Sequence, residues 1–160
     1  MTDTFAKYNQ GYNVGVGGAV VDGDRILVVR RASTYGRGNW QIPGGFCDRD
    51  ETLDQAVVRE VHEEASLETE VQGVLGVRTR HDETNSTYVV FLLRRVSGEP
   101  SPGDEVDAAR FVTLDELDAL DPVPEINRAI AARALGQARN LLQRTVVSSR
   151  LPGEYRLFLG

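Results

Sequence analysis

Apolar residues along this chain alternate with polar ones or form short continuous runs over most of its length, and take up helical spacing in two places. Val14 to Val21 and Ile26 to Val29 are β-rich runs, and the Asp22-Gly23-Asp24 between them is a hairpin signal. Gly15, Gly17 and Gly18 weaken the first run as a strand and point to a bulge or to the close approach of another backbone. Ala32 to Asn39 is loop-like, with Gly36 and Gly38, and Pro43-Gly44-Gly45 interrupts any regular element. Thr52 to Ala65 then reads as a helix. Val71 to Arg80 and Ser86 to Val96 predict two further strands around the polar loop His81 to Asn85.

Ser97 to Asp104 is rich in Gly and Pro and reads as a surface loop, Val106 to Thr113 as a strand, and Leu114 to Leu120 as a short helix capped by Thr113 or Asp115. Pro122-Val123-Pro124 opens a second long helix, expected over Glu125 to Arg144, with Ile126, Ile130, Ala134 and Leu141 on one stripe. Strands on both sides of one helix, with a second helix near the end, predict a mixed sheet between helical layers. Residues 1–160 are expected to form one domain, with residues 1–13 as an N-terminal arm and residues 146–160 as a tail. That tail carries Leu151, Tyr155, Leu157, Phe158 and Leu159, and should pack on its own domain or on a second subunit, which would make a homodimer.

Composition narrows the function. A net charge of −6 without any Lys/Arg block argues against a surface that coats nucleic acid. The longest uninterrupted apolar run, Val89 to Leu93, cannot span a bilayer, and Met1 to Asn13 lacks the build of a signal peptide, so the expected location is the cytoplasm with no membrane partner. Cys47 stands alone, which excludes an internal disulfide and fits a reducing compartment.

The chemistry lies in the first helix. From Glu60, Glu64 lies about 40° around the helix and Glu63 about 60° to the other side, and Leu53, Ala56 and Val57 fall in the same sector one and two turns earlier. The inward stripe thus begins apolar and ends in three carboxylates. Burying like charges together is costly unless a cation neutralises them, and the cation that prefers several hard oxygens is Mg²⁺, or Mn²⁺ in its place. A solvated helix face is the plainer reading of such a helix, and the surrounding spacing argues against it.

That spacing resembles the Nudix box: glycine, five residues, glutamate, seven residues, then Arg-Glu-aliphatic-x-Glu-Glu-x-Gly-aliphatic. Gly45, Glu51, Arg59, Glu60, Val61, Glu63, Glu64 and Leu67 stand in register, Trp40-Gln41-Ile42-Pro43-Gly44 resembles the usual approach to the box, and Ser66 departs from the pattern where glycine is the rule. The resemblance implies an α/β/α sandwich with a mixed sheet. It also implies water attack on phosphorus in a pyrophosphate linkage of a nucleoside diphosphate joined to a group X, assisted by Mg²⁺ or Mn²⁺. By the same pattern Glu60 and Glu64 are the first metal ligands and Glu63 the third, with catalytic roles for Glu63 and Glu64. Glu51 acts near the metal or as the partner of Arg59, and Arg59 fastens loop to helix through a bidentate pair. A backbone carbonyl around Gly44 or Gly45 is a further ligand, with glycine needed for close approach.

The general base comes, in the family, from inside the box or from a loop glutamate before a late strand. Glu105 stands where such a residue is expected, and Glu83 is the other loop candidate. Arg30 and Arg31 end a strand, so one of them should face the site and contact substrate phosphate, with a surface ion pair as the alternative. Tyr35, Trp40 and Phe111 are candidates for base stacking, with core packing favoured for Trp40 and Phe111, while His62 and His81 read as surface residues. Gly44-Gly45-Phe46 at the box entrance resembles members acting on ADP-ribose, dinucleotides or nucleotide sugars. An oxidised or ordinary nucleoside triphosphate is the alternative, and a non-catalytic nucleotide sensor is the competing class.

Overall fold

The computed structural model describes residues 12–81, 85–136, 141–147 and 154–159. In chain order these form β1 (Tyr12–Asp22), β2 (Arg25–Arg31), β3 (Trp40–Gln41), β4 (Gly44–Phe46), α1 (Leu53–Ala65), β5 (Glu68–His81), β6 (Asn85–Ser97), β7 (Val106–Val112), α2 (Leu114–Asp118), α3 (Glu125–Leu135), β8 (Leu141–Val147) and β9 (Glu154–Leu159). The strands join in one mixed sheet of order β3-β2-β1-β6-β5-β8-β9, with β4 added to β1 and β7 to β2. Strands β1 and β6 run parallel, and the other pairs are antiparallel.

Period-2 alternation divides the core between the two faces of this sheet. Val16, Val20, Leu27, Val29, Phe91 and Leu93 point to one face, where Ala56, Val57, Val61 and Ala65 of α1 cover them. Ala19, Ile26, Val28 and Val90 point to the other, against Leu117 of α2 and Ala131 and Ala134 of α3. This is the expected α/β/α sandwich. Helix α1 sits directly on β1: a Cβ at Gly18 would lie 2.7 Å from Val61 Cγ2. The glycines of β1 therefore serve close approach, of the β4 backbone and the Tyr88 ring at Gly15 and Gly17 and of the Val61 side chain at Gly18.

One expectation needs correction. Helix α3 ends at Leu135, not Arg144, because Gly136 follows it and the β-rich Leu141–Val147 belongs to a strand. The described residues of the expected tail pair within the chain's own sheet: β8 joins β5 at Gly73↔Leu142 and Val74↔Leu141, and β9 pairs along β8 from Leu142↔Leu159 to Val147↔Glu154. Residues 1–11 of the expected arm, and Glu83, lie outside the described residues. No described helix is long and apolar enough to cross a membrane.

Ser66 ends α1 in the left-handed conformation, with φ 57° and ψ 29°, and is the non-glycine residue at positive φ among those described. Its N–H closes the helix on His62 O at 2.8 Å. A left-handed side chain costs roughly 1 kcal/mol, part of which a glycine returns through its freer unfolded chain. Ser66→Gly should accordingly raise stability by about 0.5 kcal/mol, or ~1–2 °C in Tm. A thermal melt that moves downward by that amount would refute the strain assigned here.

Candidate active site

Helix α1 delivers its carboxylates because of how both its ends are tied. At the start, Thr52 N donates to Gln55 Oε1 at 3.0 Å. At the end, two free carbonyls are taken by a crossing loop: Ser101 N donates to Ala65 O at 3.0 Å and Gly103 N to Glu64 O at 3.2 Å. Gly103 passes so close that any Cβ there would collide with the Glu63 carbonyl. The next residues of that loop, Asp104 and Glu105, thereby come to face Glu60, Glu63 and Glu64 across a recess of about 380 Å³.

The three box carboxylates differ in environment. Glu64 is almost wholly buried and accepts from Gly44 N at 3.0 Å. Burial, chiefly, pushes its carboxyl up to about 7; the Gly44 N–H and Arg31 oppose the shift, while Glu60 and Glu105 add to it. Glu60 is also raised, first by burial, with the Arg59 hydrogen bond opposing and Glu63 and Glu105 reinforcing. Glu63 is more than half exposed.

Arg59 organises the rest. Its Nε donates to Glu51 Oε2 at 2.9 Å and its Nη2 to Glu51 Oε1 at 2.6 Å, a bidentate pair across eight residues. Nη2 also reaches Phe46 O at 3.1 Å, and Nη1 reaches Glu60 Oε1 at 2.9 Å and Glu63 Oε2 at 3.1 Å. The Arg59 bonds hold the Glu51 carboxyl below its usual range, and Glu51 in turn raises the arginine. Glu51 also accepts from Asp48 N at 2.8 Å, so this carboxylate is committed to the loop–helix clamp and does not line the recess.

Gly44 and Gly45 form one wall of a larger cavity of about 540 Å³ and abut the Glu64 and Glu60 carboxylates of the recess. A Cβ at Gly45 would lie 2.5 Å from Glu60 Oε1, so no other residue leaves room for that carboxylate. Of the two strand-end arginines, Arg31 lines the larger cavity and bonds to Tyr35 O at 2.9 Å and Ser33 Oγ at 2.7 Å. Arg30 points the other way, pairs with Asp107 at 2.6 Å and lies 5.5 Å from the centre of the Trp40 ring. A β-bulge between Arg30 and Arg31 accompanies this divergence.

Trp40 is a core residue and Phe111 packs against the core, whereas Tyr35, 80% exposed, stands at the cavity rim. His62 is exposed and bonded to Glu68 at 3.0 Å. The Cys47 thiol is raised, first by burial and then by Glu51, which keeps it protonated and unreactive. Phe46, singled out with Gly44 and Gly45 at the box entrance, lines the larger cavity, and so do Arg78, Tyr88 and Asn127, which sequence reasoning passed over. Only for Tyr88 was there a usable signal: Gly15 and Gly17, two apart on one strand face, leave space for a bulky neighbour.

The donor set suits a hard divalent cation. Four glutamates and one aspartate line the recess, the neighbouring cation, Arg59, is already shared among Glu51, Glu60 and Glu63, and burial, reinforced by nearby carboxylates, raises both Glu60 and Glu64. Among the described residues no three side chains already converge on one point as a ready-made metal site. The fit rests on donor chemistry and charge.

Comparison with known proteins agrees with this geometry. The chain belongs to the NUDIX domain family, whose model matches residues 11–134. It is 36% identical over 110 residues to an ADP-ribose pyrophosphatase of Methanocaldococcus jannaschii, a match covering 67% of this chain and 65% of that protein. Among solved structures it resembles a MutT NUDIX hydrolase from Burkholderia pseudomallei, with a TM-score of 0.67 and 30% identity over 75% of this chain and 95% of the other. It also resembles an ADP-ribose pyrophosphatase of Streptococcus suis 89-1591, with a TM-score of 0.62 and 30% identity over 76% and 90% of the two chains. This chain spans just under two thirds of the length of its archaeal relative. The family match stops short of β8 and β9.

Proposed function

We propose that this protein is a divalent-metal-dependent hydrolase that cleaves the pyrophosphate bond of a nucleoside diphosphate derivative of the ADP-ribose type. The observation that carries this reading is the recess itself. Glu60, Glu63, Glu64 and Glu105, from a helix and a loop fastened to its end, face one recess, and Gly44 and Gly45, which abut Glu64 and Glu60, line a separate cavity of nucleotide size. Glu60, Glu64 and Glu63 would hold the cation, Mg²⁺ or Mn²⁺, with the Gly45 peptide close beside Glu60. Bound there, the cation would supply Lewis-acid polarisation of phosphate and a lowered water pKa. Glu105, on the loop side, takes the proton from the attacking water, and Arg31 binds phosphate in the larger cavity. The two relatives named as ADP-ribose pyrophosphatases support the substrate class. The MutT likeness supports a nucleoside triphosphate as the second reading.

Hydrolysis of a panel settles the matter: ADP-ribose, NADH, nucleotide sugars, diadenosine polyphosphates and ordinary or 8-oxo nucleoside triphosphates, each with Mg²⁺, Mn²⁺ or EDTA. The expected result is metal-dependent release of AMP from ADP-ribose and its analogues, abolished by EDTA. Preferential release of pyrophosphate from a triphosphate would replace the first reading by the second. Tight nucleotide binding without cleavage of any compound would make the protein a sensor.

A further inference from the structure

We propose that Tyr88 and Arg78 form the anion-binding element that grips the substrate's diphosphate from the sheet side of the site. The inference deepens the pyrophosphohydrolase reading, which supplies the chemistry of the ligand. It starts from three glycines. A Cβ at Gly15 would lie 3.0 Å from Cδ2 of the Tyr88 ring, one at Gly17 would lie 2.6 Å from its Cζ, and one at Gly44 would lie 2.6 Å from its hydroxyl. The ring is therefore laid flat against a floor without side chains, and the hydroxyl is brought beside Gly44, the residue whose N–H holds Glu64. Arg78 covers the ring, its guanidinium carbon 5.1 Å from the ring centre. Both residues line the cavity of about 540 Å³ that Arg31 shares.

Among the described residues these donors have no hydrogen-bond or ion-pair partner. Arg25, Arg30, Arg59, Arg94, Arg95 and Arg128 each form an ion pair with a carboxylate. Among the described residues Arg78 bonds to none, and the Tyr88 hydroxyl accepts and donates no hydrogen bond either. A tyrosine packed this closely usually satisfies its hydroxyl, and packing alone would be served by phenylalanine. In a chain of net charge −6, a guanidinium without a carboxylate partner among the described residues, in a cavity whose lining holds Arg31 and no acidic side chain, is poised for an anion with several oxygens. A diphosphate offers these oxygens, and its other side faces the Gly44 and Gly45 wall of the cavity. The planar fork of Arg78 suits two of them, and the phenol supplies a neutral donor that cannot pair with the carboxylates as a second cation would.

The test measures binding and turnover separately. By calorimetry in EDTA, where no hydrolysis occurs, ADP-ribose and unphosphorylated adenosine are titrated into the wild type, Tyr88→Phe, Arg78→Met and a control, Arg110→Met. Arg110 lies over Trp40, 4.7 Å from its ring centre, and lines none of the cavities described above. Tyr88→Phe and Arg78→Met should each weaken ADP-ribose binding about 5- to 20-fold, leave adenosine unchanged, and raise KM more than they lower kcat. Near-ultraviolet circular dichroism and Tm should stay at the wild-type values for Tyr88→Phe, whose packing is intact. Unchanged ADP-ribose affinity and KM in both variants would overturn the proposal, as would equal losses for adenosine and ADP-ribose. A wild type that binds ADP-ribose through these residues but hydrolyses nothing would leave the anion site standing and overturn the enzymatic reading instead.

Discussion

Glu64→Gln should abolish turnover while leaving the protein folded, and in metal-free buffer above neutrality it should make the protein more stable. The two effects have one cause. The Glu64 carboxylate is buried next to Glu60 and Glu105, where its charge is unfavourable until a cation arrives. Glutamine keeps the size of the side chain and the oxygen that accepts from Gly44 N, and removes only the charge. The proposed metal site would lose a buried anionic ligand, for which a fall in kcat of about 10³-fold, or ~4 kcal/mol, is the expected scale.

The stability effect has a definite sign in pH. Burial raises the folded-state pKa of Glu64 to about 7, above the ordinary 4.5 that the unfolded chain retains. The folded protein therefore holds this proton more tightly, and the stabilisation from protonation is complete below 4.5 and lost as pH rises through 7. Denaturant unfolding in EDTA should show the wild type falling relative to Glu64→Gln between pH 5 and pH 8 by on the order of 2–3 kcal/mol. Saturating Mg²⁺ at pH 8 should restore the wild type, by about 2.7 kcal/mol at a hundred times the dissociation constant, and should do much less for the variant. Parallel pH profiles for the two proteins would show that Glu64 carries no strained charge. An equal response to Mg²⁺ would remove Glu64 from the metal site.

What could be read beforehand divides along a physical line. The α1 stripe was legible because helical periodicity converts sequence spacing directly into direction, so Ala56, Val57 and Glu64 are buried together as the spacing implies, while Glu63, at the edge of that sector, is more than half exposed. The Arg59–Glu51 clamp was legible for a related reason, since eight residues spanning a helix start is a local distance. The position of Glu105 was only half legible: its loop composition was plain, but its seat on the end of α1 depends on Ser101 and Gly103 finding free carbonyls. Arg78 was not legible, and Gly15 and Gly17 signalled only that some bulky neighbour lies there, not that it is Tyr88. Arg78 and Tyr88 come from β5 and β6, and their place beside Gly44 depends on sheet register, with β1 parallel to β6 and β4 added to β1. The end of α3 was misread because Leu141 fits a helical stripe and a strand equally well, and pairing with β5, a tertiary effect, decided between them.

Arg59→Met should be the most damaging single substitution at the site for stability as well as activity. The guanidinium binds Glu51 through two nitrogens, bridges Glu60 and Glu63 through a third, and ties the Phe46 carbonyl of β4 to the helix. The Glu51 and Glu60 side chains are only 14% and 12% exposed, so removing their partner leaves two poorly solvated carboxylates uncompensated. Breaking a mostly buried pair in this one-sided way costs roughly 3 kcal/mol, far more than an exposed pair would. Because Arg59 lowers the folded Glu51 carboxyl below its ordinary 4.5, the stability this pair contributes is present above that value and lost as pH falls below it, so the gap between wild type and Arg59→Met should narrow as the pH is taken below 4.5. Arg59→Lys should recover little of it, since an ammonium cannot span both oxygens of Glu51 while reaching Glu60. The double variant Arg59→Met/Glu51→Leu separates clamp from chemistry. With both charges gone, stability should return by at least half of what the single variant lost, while turnover stays low, because β4 and Glu60 are no longer held against each other. A double variant with wild-type kcat would show that the clamp serves folding alone.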